Sequence, residues 1–236
     1  MFETRANGVE FLDSVDCDPQ LAYTSYRFMR LVNRFAGGTQ AVKDFLAREI
    51  SKRDRNRPIR VLDIGSGTCD VPLAVTKWAQ RRSQKIEFTC IEINETALKK
   101  AAENVRKSGF DSIKLKNETI LEFDSQQHFD YAIGSMFFHH FKDDQILEII
   151  EKLRSYVLRG VLINDLRRSF VSYMSCLLLV CPLSKGARHD ALLSVRKGFK
   201  PDELRRLLSR IDAADVTVKV QNFSRLTAAI RFDQEG

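Results

Sequence analysis

Apolar and polar positions along this 236-residue chain change period several times, and the changes outline its elements. From Asp18 the period is helical. Leu21, Tyr26, Phe28, Met29, Val32 and Phe35 fall near helical spacing, Asp18-Pro19 is a start signal and Gly37-Gly38 a break. Thr39 is the expected cap of a second helix carrying Val42, Phe45, Leu46 and Ile50. Residues 1–16 show no period and read as irregular. From 58 to 165, short apolar runs alternate with helical stretches. The pattern predicts strands at 59–64, 86–92, 112–116, 129–133 and 160–164. It predicts helices over 70–82, 94–107 (capped by Asn94, closed by Gly109) and 143–156. A stretch at 166–199 departs from the alternation and contains an apolar helix, 170–183. Pro201 opens a last helix to about 210, and two β-rich runs follow at 216–220 and 226–232. Repeated strand–helix units imply a parallel sheet with right-handed crossovers. Ligands of such sheets bind beyond the strand carboxyl ends, where the strand order reverses.

The stretch Arg60-Val-Leu-Asp-Ile-Gly-Ser-Gly-Thr-Cys-Asp70 sits at one of those ends. Gly65 and Gly67 let the backbone turn sharply and let a ligand lie against it. Asp70 is the expected cap of the next helix, with Pro72 in its first turn. The third glycine of a dinucleotide fingerprint is missing, since Asp70 stands there. Asp63, two residues before the first glycine, would repel a pyrophosphate and suits an ammonium. Glu92 closes the second strand about 25 residues past Gly67, near the spacing at which an acid grips ribose hydroxyls. A dehydrogenase is thereby disfavoured.

Composition narrows the setting. Hydrophobic content of 44% and charged content of 29% are those of a globular protein with one good-sized core. A net charge of +7 permits an acidic partner or a membrane surface without requiring either. The densest basic cluster, 48–60, reads as a solvated linker. Five cysteines, Cys17, Cys69, Cys90, Cys176 and Cys181, contain no Cys-x-x-Cys pair. They point to reduced thiols in a cytoplasmic protein and to no metal site. The amino terminus lacks a signal-peptide core, and the apolar run 170–183 is too short to span a bilayer.

The glycine turn with Asp63 and Glu92 resembles that of the class I S-adenosylmethionine-dependent methyltransferases, whose first motif is hydrophobic-Asp-x-Gly-x-Gly. Ser135-Met-Phe-Phe-His-His-Phe141, Asn164-Asp-Leu-Arg-Arg-Ser169, Arg188-His-Asp190 and Ser194-Val-Arg196 resemble the branch near the ubiquinone and menaquinone methyltransferases and natural-product O- and C-methyltransferases. The likeness covers roughly residues 60–200. It implies an α/β fold with a Rossmann-like, doubly wound, seven-stranded, mostly parallel sheet and an antiparallel terminal hairpin. It also implies an N-terminal helical cap (1–57) on a cofactor-binding domain (58–236) with a lid-like insertion at 166–199. The cofactor would be S-adenosylmethionine, leaving as S-adenosylhomocysteine. Asp63, Gly65, Ser66, Gly67, Glu92, Ile93 and Ser135 would hold it, with Asn117 or Glu118 at the adenine edge, where many relatives carry an acid.

Methyl transfer needs in-line alignment and exclusion of water, and a hydroxyl acceptor gains from a base. The base candidates are His139 and His140, then His189, with Asp165 as the carboxylate alternative. His128 reads as a loop residue. Tyr23, Tyr26, Asn164, Arg167 and Arg188 are candidate acceptor contacts. Of these Tyr23 and Tyr26, with Phe137, Phe138 and the apolar helix, favour a small aromatic or polyketide-like acceptor, and methylation on oxygen is expected. The pattern admits a homodimer. An RNA or protein methyltransferase is the alternative, but no Asn/Asp-Pro-Pro-Tyr/Phe motif follows strand four to receive a flipped base and no nucleic-acid partner is expected. A cofactor-binding scaffold without catalysis is the other.

Overall fold

A computed structural model describes residues 2–13, 17–51, 54, 57–213 and 215–233. Among these residues seven strands form one sheet: β1 (Ile59–Ile64), β2 (Ile86–Ile91), β3 (Ile113–Lys116), β4 (Phe129–Ser135), β5 (Val157–Leu166), β6 (Asp215–Val220) and β7 (Arg225–Arg231). Their order is β3-β2-β1-β4-β5-β7-β6. Only β7 runs against the others, pairing antiparallel with β5 and with β6. The order reverses between β1 and β4, which places the crevice at their carboxyl ends.

Among the described residues eight α-helices flank the sheet: α1 (Pro19–Phe35), α2 (Gly38–Glu49), α3 (Asp70–Gln80), α4 (Glu95–Ser108), α5 (Asp143–Arg154), α6 (Phe170–Leu179), α7 (Lys185–Lys197) and α8 (Pro201–Leu208). Central strands are apolar on both faces because each face is covered. On one face Ile146, Ile150 and Leu153 of α5 and Leu204 and Leu208 of α8 pack on Leu62, Ala132 and Val161. On the other, Val42, Phe45 and Leu46 of α2 and Val75 of α3 pack on Val61, Tyr131 and Leu162. Thus α2 is a layer of the core, while α1 lies further out.

Several caps differ from expectation. The second helix is capped by Gly37, whose φ of +80° turns the chain after α1, so Thr39 is already inside the helix. The third is capped by Cys69 at φ +60°, and Asp70 occupies the first helical position. The Asp70 carboxylate instead accepts from Thr68 Oγ1 at 2.7 Å and pairs with Arg30. Asn94 and Gly109 cap α4 as expected. The apolar run splits at Val180, and Ser184 caps a separate α7.

The basic linker is not simply solvated. Residues 52, 53, 55 and 56 lie outside the described residues, but Asp54 is buried and accepts from Arg159 at 2.6 Å. Arg57 binds Asp130 through both terminal nitrogens, at 2.6 and 2.9 Å. The insertion leaves and rejoins the core at one point. Phe199 N–H donates to Leu166 O and Arg168 N–H to Phe199 O, both at 2.9 Å. The buried Arg168 guanidinium also donates to Glu203.

Candidate active site

A cavity of about 670 Å³ opens at the β1–β4 switch point. Its floor is the glycine turn. Gly65 and Gly67 have φ of +64° and +53°, which a side chain rarely adopts. A Cβ on Gly65 would also overlap the Phe137 ring. Glu92 is pinned under this turn. One carboxylate oxygen accepts from Gly67 N–H at 2.8 Å, the other from Asn94 N–H at 2.9 Å.

Asp63 and Glu92 form a buried acidic pair at the ends of β1 and β2. Burial and the Glu92 charge push Asp63 up to about 8. Burial raises Glu92 as well, against the pull of the Asn94 and Gly67 amides. Two carboxyls so placed are short of a cation and of hydroxyl donors. An amino-acid ammonium and a ribose diol supply both, so the residues fit the expected cofactor. Ser66, Ile93, Glu118 and Ser135 also line the cavity. Asn117 is exposed and outside it, which leaves Glu118 of the two adenine-edge candidates.

A second polar group also lines the cavity. His139 sits in a short 3-10 turn, Phe138–His140, directly after β4, and is buried. Its Nδ1 is 2.7 Å from Asp165 Oδ1, and its backbone N–H donates to Asp165 Oδ2 at 3.1 Å. Burial alone would raise Asp165, but the His139 ring and the Leu166 amide outweigh it and hold the carboxyl below its ordinary range. An acceptor on Nδ1 keeps the proton there and leaves Nε2 as a lone pair. That Nε2 is buried without a hydrogen-bond partner, in a residue that lines the cavity.

Two neighbours were invisible in the sequence. Glu10 arrives from the amino-terminal segment with Oε1 3.8 Å from His139 Nε2 and 3.9 Å from His140 Nδ1. Lys197 of α7 donates to Glu10 at 3.0 Å and lies 3.4 Å from His140 Nδ1; Ser194 Oγ donates to Glu10 at 2.7 Å. Glu10, His139 and His140 bring three ligand-type atoms within 4.8 Å of one another, and the Lys197 ammonium lies against that corner. Glu10 gave no local signal, because its segment has no period. Asp190, Ser194 and Lys197 recur at i, i+4 and i+7 in an apolar insertion, and that polar stripe was the available hint. The amino-terminal segment is held across α7 by Asp190, which accepts from the Phe11 and Leu12 amides. Arg5 donates to the carbonyls of His139, Phe141 and Lys197.

Other expectations are corrected by position. His189 is exposed outside the cavity, with Nδ1 3.3 Å from Asp190 and its ring beside Phe11. Arg188 donates to the carbonyls of Cys181 and Leu183 and serves the α6–α7 turn. Arg167 lies outside the cavity lining, just past β5, where its backbone N–H donates to the Ser224 carbonyl. Asn164 is wholly buried below the cavity, donating to Gly38 O and Ser135 Oγ at 3.0 Å. Asp165 likewise acts through His139 and does not line the space. Tyr23 faces outward, whereas Tyr26, Met29, Phe137 and Phe141 form the apolar wall. Phe138 belongs to the core, and His128 is exposed as expected.

Comparison with known proteins bears on the fold and the family. Residues 56–169 match a family model described as a methyltransferase domain. The plantazolicin methyltransferase BpumL, solved with a triazolic desmethylPZN analog and S-adenosylhomocysteine, superposes with a TM-score of 0.70. It is 17% identical, covering 94% of this chain and 93% of that one. The magnesium protoporphyrin IX methyltransferase ChlM of Synechocystis PCC 6803, with bound S-adenosylhomocysteine, gives 0.57 at 13% identity over 84% of each chain. The tRNA1(Val) (adenine(37)-N6)-methyltransferase of Pseudoalteromonas translucida is 31% identical over 81 residues. That match covers 34% of this chain and spans only a third of that enzyme's length.

Proposed function

We propose an acceptor class and a base for this chain, which is a methyltransferase of the class I S-adenosylmethionine-dependent fold. It methylates a hydroxyl group on a small aromatic or polyketide-like acceptor. Bound S-adenosylmethionine supplies an electrophilic methyl group on a sulfonium. Asp63 and Glu92 hold the amino-acid and ribose ends, and the side-chain-free turn at Gly65 and Gly67 admits the nucleoside. Tyr26, Met29 and Phe137 orient the acceptor and keep water from the transfer.

His139 Nε2 takes the acceptor's hydroxyl proton. The oxygen bonds the methyl carbon as the carbon–sulfur bond breaks, and the electron pair stays on sulfur. The products are a methyl ether, S-adenosylhomocysteine and a proton on His139. Asp165 fixes the tautomer and carries the charge of the resulting imidazolium. One observation carries this reading: a buried imidazole nitrogen without a partner, in a cavity-lining residue, on a ring fixed by a buried carboxylate. The plantazolicin and protoporphyrin enzymes are named for small acceptors and support the same class.

The tRNA enzyme favours a second reading, an RNA acceptor. Transfer of labelled methyl groups to a phenol panel, to tRNA and to peptides separates the two. Labelled methyl ethers, lost in His139→Ala, are expected. Label in tRNA or peptide alone overturns the proposal.

A further inference from the structure

The outer face of α6 is apolar where a surface helix is ordinarily polar. Phe170, Val171, Met174 and Leu178 fall on one side of the helix, and Leu178 is 75% exposed. The turn between β6 and β7 extends this face. Phe223 there is half exposed, and its carbonyl accepts from Ser172 Oγ at 2.6 Å. The same turn reaches the end of α1, where Asn222 Nδ2 donates to Ala36 O at 2.9 Å. Beside Ala36, Phe35 is 74% exposed. Single exposed apolar residues need no account, but a set joined into one surface marks an interaction site.

Charge selects the partner. Arg27, Arg30 and Arg34 stand on the exposed side of α1, and neither α1 nor α6 contains an acidic residue. Arg30 shares its charge with Asp70 at 3.5 Å. Arg27 lies 5.7 Å from the ring of Tyr23 and Arg34 5.2 Å from that of Phe35. Such cation–aromatic pairs suit a boundary that is wet on one side and apolar on the other. A second copy of the chain fits poorly, because a two-fold contact uses the same patch on both sides and neither α1 nor α6 offers an acidic residue to the arginines. A nucleic acid would neutralise the arginines and leave Phe35 and Leu178 against phosphate and water. Anionic headgroups above an acyl layer satisfy both parts. Among the described residues no helix is long and apolar enough to cross a membrane, so the contact lies in the plane of the surface.

We propose that α1, α6 and the β6–β7 turn dock this protein on the surface of an anionic lipid bilayer. The inference stands apart from the acceptor and from the base.

Co-sedimentation with phosphatidylcholine vesicles, with and without phosphatidylglycerol, tests it. Wild type should pellet with the phosphatidylglycerol vesicles and less with phosphatidylcholine alone. Arg27→Gln with Arg34→Gln should weaken that binding roughly fivefold per arginine. Phe35→Ser with Leu178→Ser should abolish it, with the thermal midpoint of unfolding retained in both variants. Wild type left in the supernatant with every vesicle overturns the proposal, as does pelleting that neither variant changes. A dimer in light scattering that Leu178→Ser dissociates, without vesicle binding, assigns the face to a second copy instead. Retention on immobilised tRNA lost only in the arginine variant, without vesicle binding, assigns it to RNA.

Discussion

His139 Nδ1 and Asp165 Oδ1 lie 2.7 Å apart, both side chains withdrawn from solvent, at the ends of adjacent strands β4 and β5. The pair fixes the ring of one of two neighbouring histidines against a buried carboxylate. His139→Ala should lower kcat by ~10²–10⁴-fold at unchanged S-adenosylhomocysteine affinity. Asp165→Asn should also lower kcat, by allowing the wrong tautomer. His140→Ala and His189→Ala should stay near wild type. Calorimetry separates binding from turnover, and near wild-type kcat in His139→Ala would reduce catalysis to alignment alone.

Glu92 accepts one backbone N–H from the glycine turn, at Gly67, and one from Asn94 after β2, so its removal should act on affinity. Glu92→Ala should weaken S-adenosylhomocysteine binding by ~1–3 kcal/mol, read by calorimetry. Wild type binding NADH in preference would contradict the reading of the turn.

Asp63 provides a pH signature. Its carboxyl titrates near 8 in the folded chain, pushed up by burial and by Glu92, and near the ordinary carboxylate value when unfolded. Between those values the folded state holds the extra proton, so stability falls as pH rises from about 4 to about 8 and then levels off. The thermal midpoint should decline over that window in wild type and less in Asp63→Asn. An ammonium arriving beside Asp63 lowers its pKa. Ligand binding near pH 7 should therefore release protons, measurable by calorimetry in buffers of different ionisation enthalpy. No release would remove Asp63 from ammonium recognition.

Lys197 and Glu10 are both buried and meet at 3.0 Å. Breaking such a pair strands a charge, so Lys197→Met should destabilise by ~3–5 kcal/mol. Adding Glu10→Gln should recover part of the loss, a coupling that chemical denaturation of the double-mutant cycle would read. Additive losses would mean that the two groups are independent.

If α1 and residues 166–199 act as a cover over the cavity, ligands should order them. Hydrogen exchange in α1, α6 and α7 is expected to slow with S-adenosylhomocysteine and an acceptor present. Unchanged protection would make these helices static packing.

The strands were legible because each is a short apolar run with its own boundary signals. The first strand is found where expected, at Ile59–Ile64, and β5 only extends the expected run to Val157–Leu166. The caps at Thr39 and Asp70 misled because a left-handed Gly37 or Cys69 does their work by backbone geometry alone. Local side-chain chemistry does not reveal that.

Sequence by itself determined the sheet, the glycine turn and the acids Asp63 and Glu92, since each depends on residues within one strand and the turn that follows it. It also put a histidine pair at the rim. Both histidines line the cavity, and tertiary structure decided which of them is held by a carboxylate, because Asp165 arrives from another strand. It placed His189 outside the cavity, Asn164 on Gly38 and Ser135, and Arg188 on the carbonyls of Cys181 and Leu183. And it brought Glu10 to Ser194, 184 residues away in sequence. Contacts of that separation are written in the closure of the whole chain around its core, and no local period or spacing encodes them.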